Sequence, residues 1–370
     1  DALEGIAALA PEPGLLRGLP RFRRELVEAH VVAGLGPDEV AAPLPEPGVQ
    51  CVGVLDVHLL EVLSKAGGRR AQALRRDHLA LVEGVFLGVE QRDELVVATK
   101  GRFPMSPGAV AGAGRAYLTG AIEASLRRLG LEHVDLYQVH AWDSAVNLDE
   151  MLGVLDEFVV AGKARAVGVS NFTGWQLQRA VSRSRELGLT PLASLQPQYN
   201  LLGREIESEI LPVCIEEGLG VLPWSPLAGG WLTGKYAATE RPTGDTRLGD
   251  DPTRGIEAYD LRNRPATWAV LDAVGTIASS RKVSMAQVAL NWLRDRPAVA
   301  SVLLGARSVA QLDDNLAALD WSLTADETEA LTRASAPGMP LYPHGFLESY
   351  AGVQVWADLG YRVEPPPLGR

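Results

Sequence analysis

The pattern that most constrains the fold is an alternation of short apolar runs with amphipathic stretches, from about residue 94 to residue 319. Strands are predicted at residues 94–100, 134–140, 164–170, 192–199, 219–225 and 301–305. Helices are predicted at residues 118–129, from residue 149, and at 177–181, 205–217, 267–280, 284–294 and 311–319. Strands that alternate with helices at this spacing indicate a parallel sheet covered by helices.

Two α/β architectures fit this alternation, a doubly wound sheet and most of an eight-fold barrel. A doubly wound dinucleotide-binding sheet carries a Gly-x-Gly-x-x-Gly segment after its first strand, and none follows residues 94–100. The absence of this segment favours an α/β fold of the (β/α)8 TIM-barrel class over the doubly wound sheet, and both stay open at this point. In such a barrel, the chemistry takes place at the carboxyl ends of the strands.

Charge and cysteine content exclude several classes of partner. The net charge of -11 argues against nucleic acid and against an anionic membrane surface as partners. Cys51 and Cys214 have no metal-type spacing, so no metal site is predicted, and their scarcity is typical of a cytoplasmic protein. No apolar run approaches the roughly 18–20 residues of a membrane span, and no signal peptide is predicted. The oligomeric state is left open.

Polar side chains stand at the predicted carboxyl ends of the strands, which suggests one shared pocket. They are Lys100, His140, Ser170 with Asn171, Gln196 with Tyr199, Ser225 and Arg307. Each also has a purely structural interpretation. Lys100 fits a surface charge, Ser170 and Asn171 fit a cap for the next helix, and Tyr199 fits an ordinary core residue.

Six segments in this order resemble the aldo-keto reductases. They are Val-Ala-Thr-Lys at 97–100, Asp-Leu-Tyr-Gln-Val-His at 135–140, Gly-Val-Ser-Asn at 168–171, Gln-Pro-Gln-Tyr-Asn at 196–200, Trp-Ser-Pro-Leu-Ala-Gly-Gly at 224–230, and residues 305–315. The resemblance runs over about residues 91–335. It implies a (β/α)8 barrel that binds NADPH in an extended form and reduces a small-molecule aldehyde or ketone. The long loop after Trp224 resembles the subgroup that acts on aryl aldehydes, sugars and small ketones.

The resemblance also implies a role for individual residues. Lys100 and His140 match the catalytic lysine and histidine, and Trp142 is expected to line the substrate pocket. The matches to cofactor-binding positions are Ser170, Asn171 and Gln196 for the nicotinamide carboxamide, Tyr199 for the aromatic under the ring, Ser225, Leu227, Gly229 and Lys235 for the pyrophosphate loop, and Gly305, Arg307, Gln311 and Asn315 for the adenosine end.

Simple chemistry agrees with these roles. Neutral amides hold a carboxamide by paired hydrogen bonds, and the planar guanidinium of Arg307 suits the 2′-phosphate of NADPH. A lysine lowers the pKa of a neighbouring phenol, which makes the phenol a usable acid near neutral pH. A histidine donates to a carbonyl oxygen as charge develops there.

The proton donor that this resemblance requires is not found. The family's site needs an Asp and a Tyr five positions apart in the segment before Lys100, yet the first tyrosine of the sequence is Tyr117. One alignment leaves Gly53 and His58 at the two positions. A second alignment, which matches residues 83–88 to the helix before the next strand, leaves Ala73 and His78 there. A histidine can donate a proton, but neither alignment restores the pair.

Residues 1–90 differ in kind from the rest, because they contain no Thr, Asn, Tyr, Trp or Met. We expect them to supply two atypical barrel units, followed by the barrel at 91–335 and a tail at 336–370. Three interpretations compete: a protein that binds NADPH without reducing carbonyls, in a regulatory or scaffold role; an enzyme with a rearranged donor; and a segment that is not family coding sequence, such as a misassigned start. A non-nicotinamide barrel lyase is disfavoured by the segments around Ser170, Gln196 and Tyr199.

Overall fold

A computed structural model describes residues 96–104, 108, 111–244, 246–253, 255–306, 308–338 and 341–346. Its strands form one parallel sheet in chain order: β1 (Ala98–Gly101), β2 (Val134–Val139), β3 (Ala164–Ser170), β4 (Leu192–Gln196) and β5 (Gly220–Val221). Lys100 pairs with Gln138 across β1 and β2, and Ser170 pairs with Gln196 across β3 and β4. The carboxyl ends of all five strands therefore meet at one edge.

Helices follow each of the first four strands and then continue beyond β5. The α-helices are α1 (Arg115–Leu129), α2 (Leu148–Val160), α3 (Gly174–Glu186), α4 (Ile210–Glu216), α5 (Arg247–Asp250), α6 (Tyr259–Arg262), α7 (Pro265–Arg281), α8 (Met285–Arg294), α9 (Val309–Leu316) and α10 (Ala325–Ala334). Short 3-10 turns lie at Glu205–Glu207, Ala228–Thr233, Gly255–Glu257 and Ala317–Leu319, and a π turn lies at Leu341–Gly345. Among the described residues, no helix is both long and apolar enough to cross a membrane.

The helix ends follow from local chemistry. The Asn147 side chain accepts from the Asp149 backbone N–H and opens α2, and Ser284 caps α8 through the Gln287 N–H. Gly130 ends α1 in a left-handed conformation with φ of 64°, which glycine adopts without a steric penalty. These caps fix where each helix begins or ends above the sheet.

The sheet is buried on both faces. On the outer face, Leu118 and Ile122 of α1 belong to the same core as Tyr137 and Val139 of β2. The inner face carries a separate cluster of mostly small residues: Ala98, Leu136, Ala166, Ala193 and Leu222. A parallel sheet covered on both faces explains why its strands are continuous apolar runs in the sequence.

Gly101 marks the closest approach between β1 and its neighbour. A Cβ at this position would lie 2.2 Å from the Tyr137 hydroxyl oxygen and 3.2 Å from the Ala121 Cβ. Tyr137 is fully buried, so its ring cannot move away easily. Only glycine fits here.

The strand predictions are confirmed for β2 and β3, and the later ones are shorter than expected. The run 192–199 ends at Gln196, because Pro197 has no N–H for the ladder. The run 219–225 reduces to Gly220–Val221, followed by a single bridge between Trp224 and Gln198. The prediction of a strand at 301–305 is wrong. The chain there extends the sheet through one bridge from Val299 to Val221 and scattered hydrogen bonds.

All seven predicted helices are present and differ mainly at their ends, whereas α5, α6 and α10 were not predicted. The apolar residues expected to face inward from α1 and α2 are all buried: Leu118, Ile122, Leu126, Leu129, Leu152, Leu155 and Phe158. The predicted helix at 205–217 divides into the turn Glu205–Glu207 and α4. The predicted helix at 311–319 likewise divides into α9 and the turn Ala317–Leu319.

Candidate active site

Asn171 connects the polar groups at the strand ends. It follows β3 with φ of 54°, a left-handed conformation that asparagine tolerates better than most residues. Its side-chain Nδ2 donates to the His140 carbonyl and to the Ser170 hydroxyl, both at 3.0 Å. Its Oδ1 accepts from the Trp224 indole N–H at 3.0 Å. One amide therefore joins the ends of β2 and β3 to the segment after β5.

A buried polar chain lies next to this amide. The Ser170 hydroxyl donates to the Gln196 carbonyl at 2.7 Å. The Gln196 side-chain Nε2 donates to the Gln138 Oε1 at 3.0 Å, and the Gln138 Nε2 donates to the Ser194 hydroxyl at 3.3 Å. We call Ser170, Asn171, Gln196 and Trp224 the β3–β5 arc. Sequence reasoning did not single out Gln138, although it alternates in β2 with Leu136 and His140 and so shares their face.

Lys100 and His140 stand at the ends of the adjacent strands β1 and β2. Ala98 belongs to the inner cluster, so the strand period of two places Lys100 on the same inner face. The His140 backbone N–H donates to the Gly101 carbonyl at 3.0 Å. The His140 ring meets the Phe103 ring edge-on, with 4.7 Å between centroids. The two predicted catalytic residues thus lie at the carboxyl ends of neighbouring strands.

Aromatic rings line the rim beyond His140. Trp142, the predicted substrate residue, packs edge-on against Phe172 at 5.2 Å and Trp175 at 5.4 Å between centroids. The Trp142 carbonyl accepts from the Arg102 guanidinium at 3.3 Å. We call Arg102, Phe103, His140 and Trp142 the β1–β2 arc. Trp175 was missed by sequence reasoning, although it is 56% exposed at the start of α3.

The structure corrects the role expected for Tyr199. This residue is fully buried, its hydroxyl donates to Glu207 at 2.7 Å, and its ring packs against Trp292. Pro197 ends β4, so the side chain of Tyr199 no longer follows the alternation of that strand. Tyr199 is a core residue, whereas the half-buried Trp224 bonds Asn171 at the strand ends.

A buried ion pair holds Tyr199 in place. Arg204 and Glu207 lie 2.8 Å apart, with side chains that are each 1% exposed. Arg204 also donates to the Thr332 carbonyl at 2.6 Å and to the Ser335 hydroxyl at 2.9 Å. This network ties the segment after β4 to α10 and holds the Tyr199 hydroxyl within the core.

The predicted pyrophosphate loop has an unusual backbone. Ser225, Ala228, Gly229 and Gly230 all have positive φ, between 48° and 97°. The Ser225 hydroxyl oxygen is buried and has no hydrogen-bond partner in the described part of the chain. Native proteins rarely leave a buried hydroxyl unsatisfied, so this atom fits an acceptor or donor from a ligand. In the same loop Leu227 is half-buried and Lys235 is exposed, with its Nζ 5.4 Å from the Tyr236 ring centroid.

The predicted adenosine end is described only in part. Gly305 and Gln311 are exposed, and the Gln311 backbone N–H donates to the Ser308 hydroxyl at 3.3 Å at the start of α9. Asn315 is buried in the same helix. Arg307 lies outside the described residues, as do His58, His78 and the rest of residues 1–90. Their roles stay predictions.

Neither tyrosine near β1 and β2 replaces the missing proton donor on the inner face. The Tyr117 hydroxyl donates to the Phe103 carbonyl. Tyr137 lies on the outer face, opposite Gln138, and its hydroxyl is buried without a hydrogen-bond partner among the described residues. Burial raises the pKa of Tyr137 well above its usual value. A phenol held in that way does not release its proton near neutral pH.

Comparison with known proteins finds several relatives of this chain. The chain is 36% identical over 231 residues to L-glyceraldehyde 3-phosphate reductase of Escherichia coli (strain K12), with 62% of this chain and 66% of the relative covered. The chain therefore spans slightly less than two thirds of that relative. It is 30% identical over 227 residues to versiconal hemiacetal acetate reductase of Aspergillus parasiticus, with 61% and 64% covered.

A third relative carries a different kind of name. The chain is 33% identical over 236 residues to a probable voltage-gated potassium channel subunit beta of Arabidopsis thaliana, with 62% of this chain and 70% of the relative covered. The model of the aldo/keto reductase family matches residues 77–336, which is well over half of the sequence. The chain therefore belongs to the aldo/keto reductase family, and its fold class is the (β/α)8 barrel that the strand–helix alternation predicts.

Proposed function

We propose that this chain binds NADPH at the strand ends and uses it to reduce a small-molecule aldehyde or ketone to an alcohol. The observation that carries the proposal is a hydrogen-bonded cluster: the Asn171 side chain bonds the His140 carbonyl, the Ser170 hydroxyl and the Trp224 indole, and Ser170 in turn bonds the Gln196 carbonyl. Residues from four separate strand ends are unlinked in sequence, and a common hydrogen-bonded cluster of amides and a hydroxyl suits a carboxamide group.

The chain offers suitable groups for each part of this cofactor. Ser170, Asn171 and Gln196 would hold the carboxamide, and Trp224 takes the place under the ring that the sequence assigned to Tyr199. The buried, unpartnered Ser225 hydroxyl would meet the pyrophosphate, together with the other residues of its loop. These loop residues are Leu227, Gly229 and Lys235. Gly305, Gln311 and Asn315 would lie at the adenosine end, with Arg307 for the 2′-phosphate.

When bound, nicotinamide supplies the hydride. As hydride reaches the carbonyl carbon, negative charge would develop on the oxygen, which accepts a hydrogen bond from His140 and is stabilised by the charge of Lys100. Transfer of the His140 proton to this oxygen would complete the alcohol, and solvent would then reprotonate the imidazole. The Phe103 ring borders His140 with apolar surface, which would exclude water from the reacting carbonyl and strengthen these interactions. In this scheme the β3–β5 arc binds the cofactor, while Lys100 and His140 act on the carbonyl of the substrate.

A second candidate function is binding of NADPH without turnover. It is favoured by one observation, that no tyrosine precedes Tyr117 in the sequence. Similarity does not choose between the two, because relatives named as a reductase and as a channel subunit are 36% and 33% identical over similar lengths. The reductase names among the relatives support the first candidate, and the missing donor supports the second.

Two measurements on the purified chain separate the candidates. NADPH and NADH are titrated by cofactor fluorescence, and NADPH oxidation is followed with benzaldehyde as the substrate. Binding with turnover supports the reductase, whereas binding without turnover supports the second candidate. Failure to bind either dinucleotide contradicts both. The variant Asn171→Gly serves as a control, because it keeps the left-handed backbone and removes the central amide.

A further inference from the structure

Arg102 has a backbone conformation that few residues other than glycine adopt. It directly follows β1 with φ of 139°. Its carbonyl accepts from the Gly112 N–H at 2.9 Å, which helps to fix the turn. Six described non-glycine residues have positive φ, and four of them, Arg102, Asn171, Ser225 and Ala228, lie at this rim. Residues held in costly conformations concentrate at functional sites, so the arginine here calls for a functional explanation.

The guanidinium of Arg102 lies beside the predicted catalytic histidine. Its Cζ is 4.9 Å from the Phe103 ring centroid, and the other neighbour of that ring is His140. Its Nη2 donates to the Trp142 carbonyl at 3.3 Å. The Nε atom is buried and has no hydrogen-bond partner in the described part of the chain. A single aromatic ring thus separates a fixed cation from the imidazole.

No carboxylate of the described residues forms an ion pair with Arg102. Asp143, which lies beside Gly112 of this turn, uses both oxygens on backbone N–H groups, those of Ala113 at 2.9 Å and Ala145 at 3.0 Å. The chain has a net charge of -11, so acidic partners are abundant elsewhere. A partly buried guanidinium with spare donors favours an anion from outside.

We propose that Arg102 binds an anionic group, a carboxylate or a phosphate, of the carbonyl substrate. The inference rests on the proposed reductase function, since it names the substrate class of the same site. The anion lies at Arg102 while the carbonyl carbon lies near His140, on the other side of Phe103. The groups that suit the cofactor phosphates follow β5 and begin α9, so Arg102 at the end of β1 serves the substrate.

A pair of aldehydes tests the selectivity. Steady-state kcat/KM is measured for 4-carboxybenzaldehyde and for the neutral 4-methylbenzaldehyde. Arg102→Gln is expected to lower kcat/KM for the carboxylate by roughly tenfold to a hundredfold, because a charge-assisted hydrogen bond is lost. The neutral aldehyde should change by less than about twofold. Arg264→Gln, which removes an exposed arginine at the start of α7, should change neither.

The variant Arg102→Gly distinguishes substrate binding by Arg102 from a purely structural role of this residue. Arg102→Gly removes the guanidinium and relieves the unfavourable φ, so Tm should rise while selectivity for the carboxylate falls as in Arg102→Gln. If Arg102 merely braces the turn through Trp142 and Phe103, Tm should fall instead. A fall in Tm with unchanged selectivity overturns the proposal.

Calorimetric binding of benzoate and of benzamide, with and without NADP, needs no turnover. Wild type should bind benzoate at least about tenfold more tightly than Arg102→Gln does, and benzamide should not distinguish them. If the chain shows this selectivity for benzoate but reduces neither aldehyde, the reductase function is wrong and the anion site is supported. Equal benzoate affinity, an equal loss for both aldehydes, or weaker NADPH binding in Arg102→Gln overturns the proposal.

Discussion

The two arcs of the rim use their polar groups differently. In the β3–β5 arc, the amide of Asn171 has partners on both its nitrogen and its oxygen, and Ser170 is bonded on both sides. In the β1–β2 arc, the His140 ring and the Arg102 guanidinium both pack against the Phe103 ring, and the Arg102 Nε is left without a hydrogen-bond partner in the described structure. The first arc thus satisfies its polar groups internally, as suits the fixed shape of the proposed cofactor, whereas the second keeps a donor on Arg102 for the proposed substrate anion.

The largest expected effect is a loss of turnover with unchanged affinity for NADPH. Lys100→Met removes the charge at the end of β1 and should lower turnover of benzaldehyde by about a hundredfold or more, because the developing negative charge loses its stabilisation. The NADPH Kd should change by less than about twofold. Lys163→Met, at the opposite end of the sheet, is the matched control. Loss of NADPH binding in Lys100→Met would place Lys100 in the cofactor site and remove the distinction between the arcs.

The next largest effect is expected on the affinity for NADPH. Asn171→Gly fits φ of 54° but removes the groups that bond His140, Ser170 and Trp224. We expect the NADPH Kd to weaken by about tenfold or more, measured by fluorescence titration. Asn171→Asp keeps the oxygen that accepts from Trp224 and loses the donor, so it shows which half of the amide matters. An unchanged Kd in Asn171→Gly would contradict the role of the β3–β5 arc.

Two further variants test whether Trp224, and not Tyr199, is the aromatic residue under the nicotinamide ring. Trp224→Leu should weaken NADPH binding by roughly twofold to tenfold, since an aromatic contact is lost. Tyr199→Phe should leave the Kd unchanged and lower the free energy of unfolding by about 1–3 kcal/mol, because the buried Glu207 loses a donor. Urea unfolding and NADPH titration measure the two effects. Weaker NADPH binding in Tyr199→Phe, with unchanged binding in Trp224→Leu, would assign the aromatic contact with the cofactor to Tyr199.

The sequence predicted strands best where the apolar pattern is unbroken. The limits of β3 at Ala164 and Ser170 are as predicted, because a short apolar run lies between Lys163 and the turn at Asn171. The limits of β5 are not, since Pro223 lacks an N–H and Ser225 has φ of 57°. Proline changes the register of the chain in a way that a period of two does not record.

The same limits apply to the candidate site. The sequence places Lys100, His140, Ser170, Asn171 and Gln196 at one edge, because parallel strands end together. It misses Arg102, whose importance depends on a backbone angle that no composition or periodicity shows. It also selects Tyr199 over Trp224, since burial behind the Arg204 ion pair is a property of the packed molecule.

The smallest effect concerns acid stability far from both arcs. Hydrogen bonds from Arg281, both at 2.7 Å, lower the pKa of Glu327 from 4.5 to about 2. Because this pKa is lowered on folding, the contribution to stability is present above about pH 4.5 and is lost as the pH falls toward 2. Glu327→Gln should therefore lose about 0.5–1 kcal/mol at neutral pH and depend less on acid, as measured by urea unfolding. NADPH affinity should stay the same, and a change in it would link α10 to the rim.

The steric constraint at Gly101 affects how substrate preference can change by mutation. No side chain fits at this position, because a Cβ would meet the Tyr137 hydroxyl at 2.2 Å. The position therefore stands between Lys100 and Arg102, to which the proposals assign the reaction and the anion of the substrate. Gly101 stays fixed by steric exclusion, and at position 102 the φ of 139° favours glycine over every other replacement. Under the proposal, a lineage therefore loses the preference for an anion in one substitution that relieves the backbone, whereas it gains the preference only against the cost of that backbone conformation.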